Sequence, residues 1–536
     1  MDFVILIIFL GLYYFRPQEW YSDFNAIRPV ELLSFLAVWS MFAVKRLRPR
    51  DLFYTPLDRL ALCYFLWTIM SGLQPAVNIQ YIQAGFLFYF LAACSLDSIP
   101  RLKIFLKWWC AFILIIASLA IASLHGFDPL DSNTLTQGIM KGRLVLNLSI
   151  FDNPNALAHG IIPAVPLLFY LVFWRRIFMK AGLLLMVIPL YCIYLTVSKG
   201  AMLCGFATLL ATLTFGRSKP AQIVILVLAL GLGYGALYKL PRMNELNHAQ
   251  SDPAIQGRVA AFAFGMEQMR THFFGIGFGN FKPLFLRYGP LEKVRVLRQG
   301  VKGSRDVYVS RHYMKATHSS FNENGSEFGF IGLFLFVGIL YCCIRTLLLV
   351  KSEDDDEERI RRALFAMVVA YGVSSWMVDF CYRPTFFMFV AAISAFHRHL
   401  LRKQSAASAP VEITPLLEDR PWLPRRGPIK LPGIPLPGLA APLPCLASEV
   451  TLAPSGVSAV QHGVETAASP VGAALVSSRQ FPTSGRVLPW HKPEFSLEET
   501  LRKKFIWDRL GILDLVIMLV LTYCTVLYWQ HLIKTM

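Results

Sequence analysis

Charged residues are scarce in this chain: only 16% of its 536 residues are Asp, Glu, Lys or Arg, where a soluble domain carries about a quarter. Its ten Cys form no CxxC pair and none falls between Lys239 and His318, so neither a disulfide framework nor a zinc site is indicated. There is no Walker sequence and no GxGxxG, which removes the usual phosphate-cradling loops of ATP hydrolysis and dinucleotide binding. The one DxD pattern lies inside the acidic run SEDDDEE at 352–358. A solvated charge run is the reading there, and no metal-dependent nucleotide-sugar site follows. Solenoid-type repeats are missing too. The opening stretch MDFVILIIFLGLYYF lacks a basic leader and a small-x-small cleavage site, so it reads as an uncleaved first span.

What the chain has is apolar length. Hydrophobic residues make up 55% of it and the mean hydropathy is +0.49. They fall in runs near 2–15, 30–44, 57–74, 79–95, 106–124, 156–174, 181–197, 200–215, 221–238, 326–350, 362–381, 384–400 and 510–530. Crossing a bilayer takes roughly 17–25 residues. The expected fold is an all-α polytopic membrane protein of about 12 transmembrane helices plus a C-terminal thirteenth, with a large, partly helical loop on the outer side. The net charge of +18 does not call for nucleic acid, because Lys and Arg mark the cytoplasmic loops of membrane proteins. KRLRPR (45–50), Arg101 with Lys103 and Lys107, WRRIFMK (174–180), GRSKP (216–220), RIRR (359–362) and HRHLLRK (397–403) all fall on one side if the spans alternate. That side is read as the cytoplasm. Three regions result. Residues 1–402 form the membrane domain, with its loop at 239–325. Residues 403–509, holding all fifteen Pro found in 401–500, read as a disordered cytoplasmic tail. Residues 510–536 form the last helix.

The loop stands out chemically. From Lys239 to His318 it carries thirteen Lys/Arg against five Asp/Glu, a basic surface on the outer side that suits an anionic substrate or lipid headgroups. Arg258 opens a segment of helical periodicity, where it is either a surface arginine or a phosphate ligand. Arg295, Arg298, Arg305 and Arg311 are candidates for a second ligand, and Arg311 is preferred for its nearness to His318. His318, just before the next span, has the ordinary pKa of a base for a hydroxyl proton, or is structural. Glu323 and Glu327 lie one helical turn apart, placed to orient His318 or to cap a helix. Lys199 in TVSKGAML is a snorkelling or a functional lysine. Asn153 and Asn155 flank Pro154 in FDNPNALA, as a helix cap or as site residues.

From about Gly142 to Gly332 these residues resemble the O-antigen ligase/polymerase superfamily, membrane glycosyltransferases of the bacterial envelope. FDNPNALA resembles its Asn-Pro-Asn motif and LTVSKGA its Ser-Arg/Lys-Gly-Ala turn. Gly257-Arg258 with the following helix and GIGFGNF resembles the first half of its loop. THSSFNENGSEFGFIG resembles its His-Asn…Glu-x-Gly-x-x-Gly signature, with Ser319 where the family usually has Asn. The tail and the thirteenth span lie outside the family pattern. The resemblance implies a metal-independent transferase without a cofactor. It would move a glycan from undecaprenyl diphosphate to an acceptor hydroxyl of lipid A core, protein or a growing glycan. The location would be the bacterial inner membrane, with the active site on the periplasmic side. Arg258, Arg311, Lys199, Asn153 and Asn155 would bind substrate, and His318, Glu323 and Glu327 would serve catalysis. The alternatives are a polymerase of the same superfamily and a transporter of lipid-linked saccharide.

Overall fold

In hydrocarbon a backbone must satisfy its own N–H and C=O groups, and long apolar runs do so as helices. The computed structural model describes residues 1–21, 23–24, 28–45, 52–72, 80–138, 140–172, 184–237, 253–290, 292–296, 307–311, 315–350, 352, 354–381, 383–408 and 508–535. The tail between 409 and 507, the cluster at 174–180, and Arg298 and Arg305 lie outside them.

A helix occupies each of the thirteen apolar runs. They are α1 (Asp2–Phe15), α2 (Pro29–Trp39), α3 (Pro56–Gly72), α4 (Gln80–Ser95), α5 (Ile99–Ser123), α6 (Pro154–Ile161, continued to Leu171), α7 (Val187–Leu195), α8 (Lys199–Thr214) and α9 (Lys219–Leu237). The loop adds α10 (Pro253–Thr271) and α11 (Phe281–Tyr288). Then come α12 (Ser320–Leu349), α13 (Asp355–Ser375), α14 (Pro384–Ser408) and α15 (Ile512–Thr535). Four of these, α5, α6, α12 and α15, are long and apolar enough by length and composition to cross a membrane. The all-α class holds, and the partly helical loop adds one small hairpin. Glu292–Val296 (β1) and Val307–Arg311 (β2) pair antiparallel, Glu292 opposite Arg311 and Val296 opposite Val307. EKVRV alternates valine with charged residues and VYVSR opens on β-branched and aromatic residues, strand formers concealed by the high charge of the loop.

Helix α12 is the centre of the bundle, packed against α3, α10, α13 and α15. The acidic run is not a free charged face. Asp354 caps α13 by accepting from Asp356 N, and Asp355, Asp356, Glu357 and Glu358 fill its first turn, where carboxylates suit the positive end of the helix dipole. These acids also tie the basic clusters together. Lys103 Nζ lies 2.7 Å from Asp356, Lys403 3.0 Å and His399 3.2 Å from Glu357, and Arg361 and Arg362 each 2.7 Å from Glu358. Arg361 stands over the Phe215 ring at 4.8 Å, next to the GRSKP cluster. Nearby on the same face, Lys45 bonds Asp2 at 3.3 Å and Asp97 at 2.9 Å. Contacts thus gather basic clusters from five connections at one end of the bundle. Two further ion pairs are buried: Arg398–Asp58 at 2.9 Å, and Arg345–Asp514 at 2.7 Å between α12 and α15. Asp58 also accepts from Thr55, Tyr89 and Ser394. A carboxylate so fully bonded is a lock between helices, since an unpaired charge there would be costly.

Candidate active site

At the other end of the bundle the motifs meet. Asn153 caps α6, its side chain accepting from Asn155 N at 2.9 Å, with Pro154 at the first helical position, the position that proline suits. Asn155 Oδ1 accepts from Arg143 at 3.0 Å and from Ser198 Oγ at 2.7 Å. The FDNPN and SKG motifs are therefore bonded to each other. Ser198 caps α8, its Oγ accepting from Ala201 N, so Lys199 becomes the first helical residue and stands half-buried at this end. A side chain at Gly200 would press on Met377 at 3.2 Å. The sulfur of that Met lies 3.7 Å from a guanidinium nitrogen of Arg258, a half-buried residue on α10.

His318 stands directly before α12. Its φ of +51° is left-handed, a conformation few residues other than glycine adopt, and such strain concentrates at functional sites. The neighbouring residues hold it there. Ser319 caps α12, accepting from Asn322 N, and donates to Ser375 O at 3.1 Å. Ser320 donates to Val378 O and accepts from Phe380 N, both at 2.8 Å. Serine and asparagine are comparable helix caps, so the capping role does not depend on having Asn at 319. Half-buried His318 makes no hydrogen bond among the described residues. Burial, and then the charge of Arg258, hold its proton affinity down to a pKa of about 4; Asp379 opposes this, while Lys315 and Lys282 add to it. At neutral pH the ring is an uncharged base among three cations. The adjacent Thr317 hydroxyl is buried with no partner among the described residues.

The two glutamates have separate surroundings. Half-buried Glu323 accepts from the Cys381 thiol at 2.8 Å and lies within electrostatic reach of Asp379 and Lys282. Glu327 is buried and accepts from Phe281 N at 3.3 Å, at the start of α11. Neither is hydrogen-bonded to His318. Around Glu327, α12 breaks: Gly329 adopts φ +70°, ψ −172°. The carbonyls around this break are used by the GIGFG turn and by Trp67 of α3. Ile276 N donates to Ser326 O at 3.0 Å, Gly277 N to Glu327 O at 2.9 Å, and Trp67 Nε1 to Phe328 O at 2.7 Å. Gly275 (φ +75°) and Gly329 lie back to back; a Cβ on either would strike the other segment's backbone. Only glycine offers both the left-handed φ and the close approach.

Several residues near the site escaped the sequence reading: Lys282, Lys315, Asp379 and Arg143. Lys282 and Lys315 were counted only as loop charge. Asp379 and Arg383 sit in the DFCYRP segment between α13 and α14. Arg383 donates to Ile150 O at 2.9 Å, joining that turn to FDNPN. Arg311 lies on β2, opposite Glu292.

At this end of the helical bundle an uncharged histidine thus stands among three cations. Residues 182–337 match the family model Wzy_C, O-antigen ligase. The match takes in the SKGA turn, the described loop and α12 past its kink, three of the four motifs, and it is the superfamily those motifs resemble. Such a match implies ligase- or polymerase-type function in polysaccharide biosynthesis at a membrane. No curated protein matches the chain.

Proposed function

We propose that the protein is an O-antigen ligase-type glycosyltransferase of the bacterial inner membrane, with thirteen crossings and its site on the periplasmic side. It takes a glycan from undecaprenyl diphosphate and joins it to an acceptor hydroxyl, of lipid A core, protein or a growing glycan. The observation that carries this reading is the gathering of Arg258, Lys282 and Lys315 around uncharged His318, within the O-antigen ligase match.

The acceptor oxygen attacks the anomeric carbon as the carbon–oxygen bond to the diphosphate breaks. The hydroxyl proton passes to His318, and polyprenyl diphosphate departs with the bonding electrons. Arg258 takes the charge developing on the leaving group, with Arg311 and Lys199 as further ligands. Because diphosphate is already a good leaving group, these cations suffice and the scheme uses no metal or cofactor. Asn153 and Asn155 position Arg143 and the Lys199 turn. Glu327 fixes the loop against α12. Glu323, beside Asp379, is the reserve proton acceptor.

The test is transfer by the purified protein from a polyprenyl-diphosphate glycan. His318→Ala should lower turnover by about a hundredfold or more while leaving donor binding nearly unchanged. Arg258→Lys keeps the charge but loses the planar fork, so it should severely raise the donor KM if the contact is bidentate. Full activity in both correctly inserted variants would refute the site. In cells lacking the gene, long glycans stranded on the carrier mean ligase; single repeat units mean polymerase.

A further inference from the structure

Helix α15 lies beyond the matched family segment, yet it reaches the site. Its buried residues, Asp514, Met518, Thr522, Thr525 and Trp529, recur every three or four positions and form one stripe. That stripe runs antiparallel along α12. Near one end Asp514 pairs with Arg345 and accepts from Tyr341 OH, each at 2.7 Å. Further along, Met518 packs so closely on Gly338 that a Cβ there would overlap it. At the other end Trp529 is 1% exposed. A Cβ on Gly325 would touch its ring at 3.6 Å, and it stacks with Phe262 at 6.4 Å and meets Trp376 edge-on at 6.3 Å.

Those contacts bear on the site from two sides. Phe262 follows Arg258 by four residues on α10, hence on the same face one turn along. Trp376 precedes Met377, whose sulfur touches Arg258, and it also packs on Phe321 at 4.7 Å, at the start of α12 beside the strained His318. Asn322 supports α10 from below by donating to Ala261 O at 3.1 Å. Without Trp529, α10 would lose a large ring contact behind the turn that carries Arg258.

We infer that Trp529 is a positioning residue: α15 forms the back wall of the site, and its tryptophan holds the Arg258 turn of α10 against the Trp376–Met377 turn. The inference rests on the proposed glycan-transfer reading for its kinetic consequence. Its structural half stands independently.

The test uses the full-length protein with Trp529→Ala and Trp529→Phe, in two readouts. Hydrogen–deuterium exchange needs no activity. Trp529→Ala should speed exchange of the 255–270 segment at least tenfold and leave 99–123 unchanged; Trp529→Phe, which retains a ring, should stay near wild type. In transfer assays with an undecaprenyl-diphosphate-linked glycan, Trp529→Ala should raise the donor KM at least fivefold with a smaller change in kcat, and Trp529→Phe should restore it. Faster exchange in a protein whose wild type neither binds nor transfers the donor would support the positioning role and defeat the functional reading. Unchanged exchange of 255–270 overturns the inference, as does equal damage by Ala and Phe confined to kcat.

Discussion

The protonation of His318 makes the sharpest prediction. An ordinary histidine, with a pKa near 6.5, is about one-quarter protonated at pH 7; one held near 4 is protonated in about one molecule per thousand. The uncharged ring is the active base. Activity in kcat/KM should therefore persist to low pH and fall only as the pH drops through about 4, the value for the free enzyme. Once the donor's diphosphate is bound, its negative charge offsets Arg258, Lys282 and Lys315, so the limb in kcat should lie at higher pH. Two neutralising changes carry opposite signs. Lys315→Gln removes a cation and should move the kcat/KM limb up. Asp379→Asn removes the opposing carboxylate and should move it down. The same depressed pKa makes folding stability, present above pH 6.5, decline as pH falls towards 4, by on the order of 3 kcal/mol in total. The assay is the pH profile of transfer in a detergent or nanodisc preparation. A wild-type limb at pH 6–7, or shifts of the same sign in both variants, would refute the electrostatic account of the base.

Other outcomes follow from the packing. Gly275→Ala and Gly329→Ala each combine a left-handed φ with backbone overlap and should cost at least about 2 kcal/mol, read as a lowered Tm; wild-type melting in either would show that the loop and kink do not need the close approach. Deleting residues 410–495 should leave transfer largely intact, whereas truncation after Lys403, which also removes α15, should abolish most of it. Equal activity in the two would detach α15 from the site. An impermeant thiol reagent applied to whole cells should label Lys282→Cys and spare Arg402→Cys, both exposed positions; the reverse pattern would invert the topology.

Much of this protein was legible from its residues because the bilayer imposes a simple code. Apolar length sets where helices form, and helices stand on every run that hydropathy marked. Capping chemistry is local as well, so Asn153, Ser198 and Asp354 act on their own helix starts within one turn. What sequence could not give is which distant groups share a dielectric environment. The HRHLLRK cluster read as a marker of the cytoplasmic side, yet Arg398 is buried on Asp58; and Arg345, inside an apolar run, meets Asp514 across about 170 residues of chain. The base at 318 could be named from its motif. Its left-handed backbone is held by the contacts of Ser319 and Ser320, and its suppressed proton affinity comes from burial and then Arg258, with Lys315 and Lys282 adding and Asp379 opposing, surroundings that packing assembles. Glu323 and Glu327 looked equivalent one turn apart, until the break at Gly329 set Glu327 against the GIGFG loop and left Glu323 beside the DFCYRP turn. The α15 stripe was equally hidden, because an apolar helix does not announce its partner in its own sequence; only tertiary contact chose α12 and placed Trp529 behind Arg258.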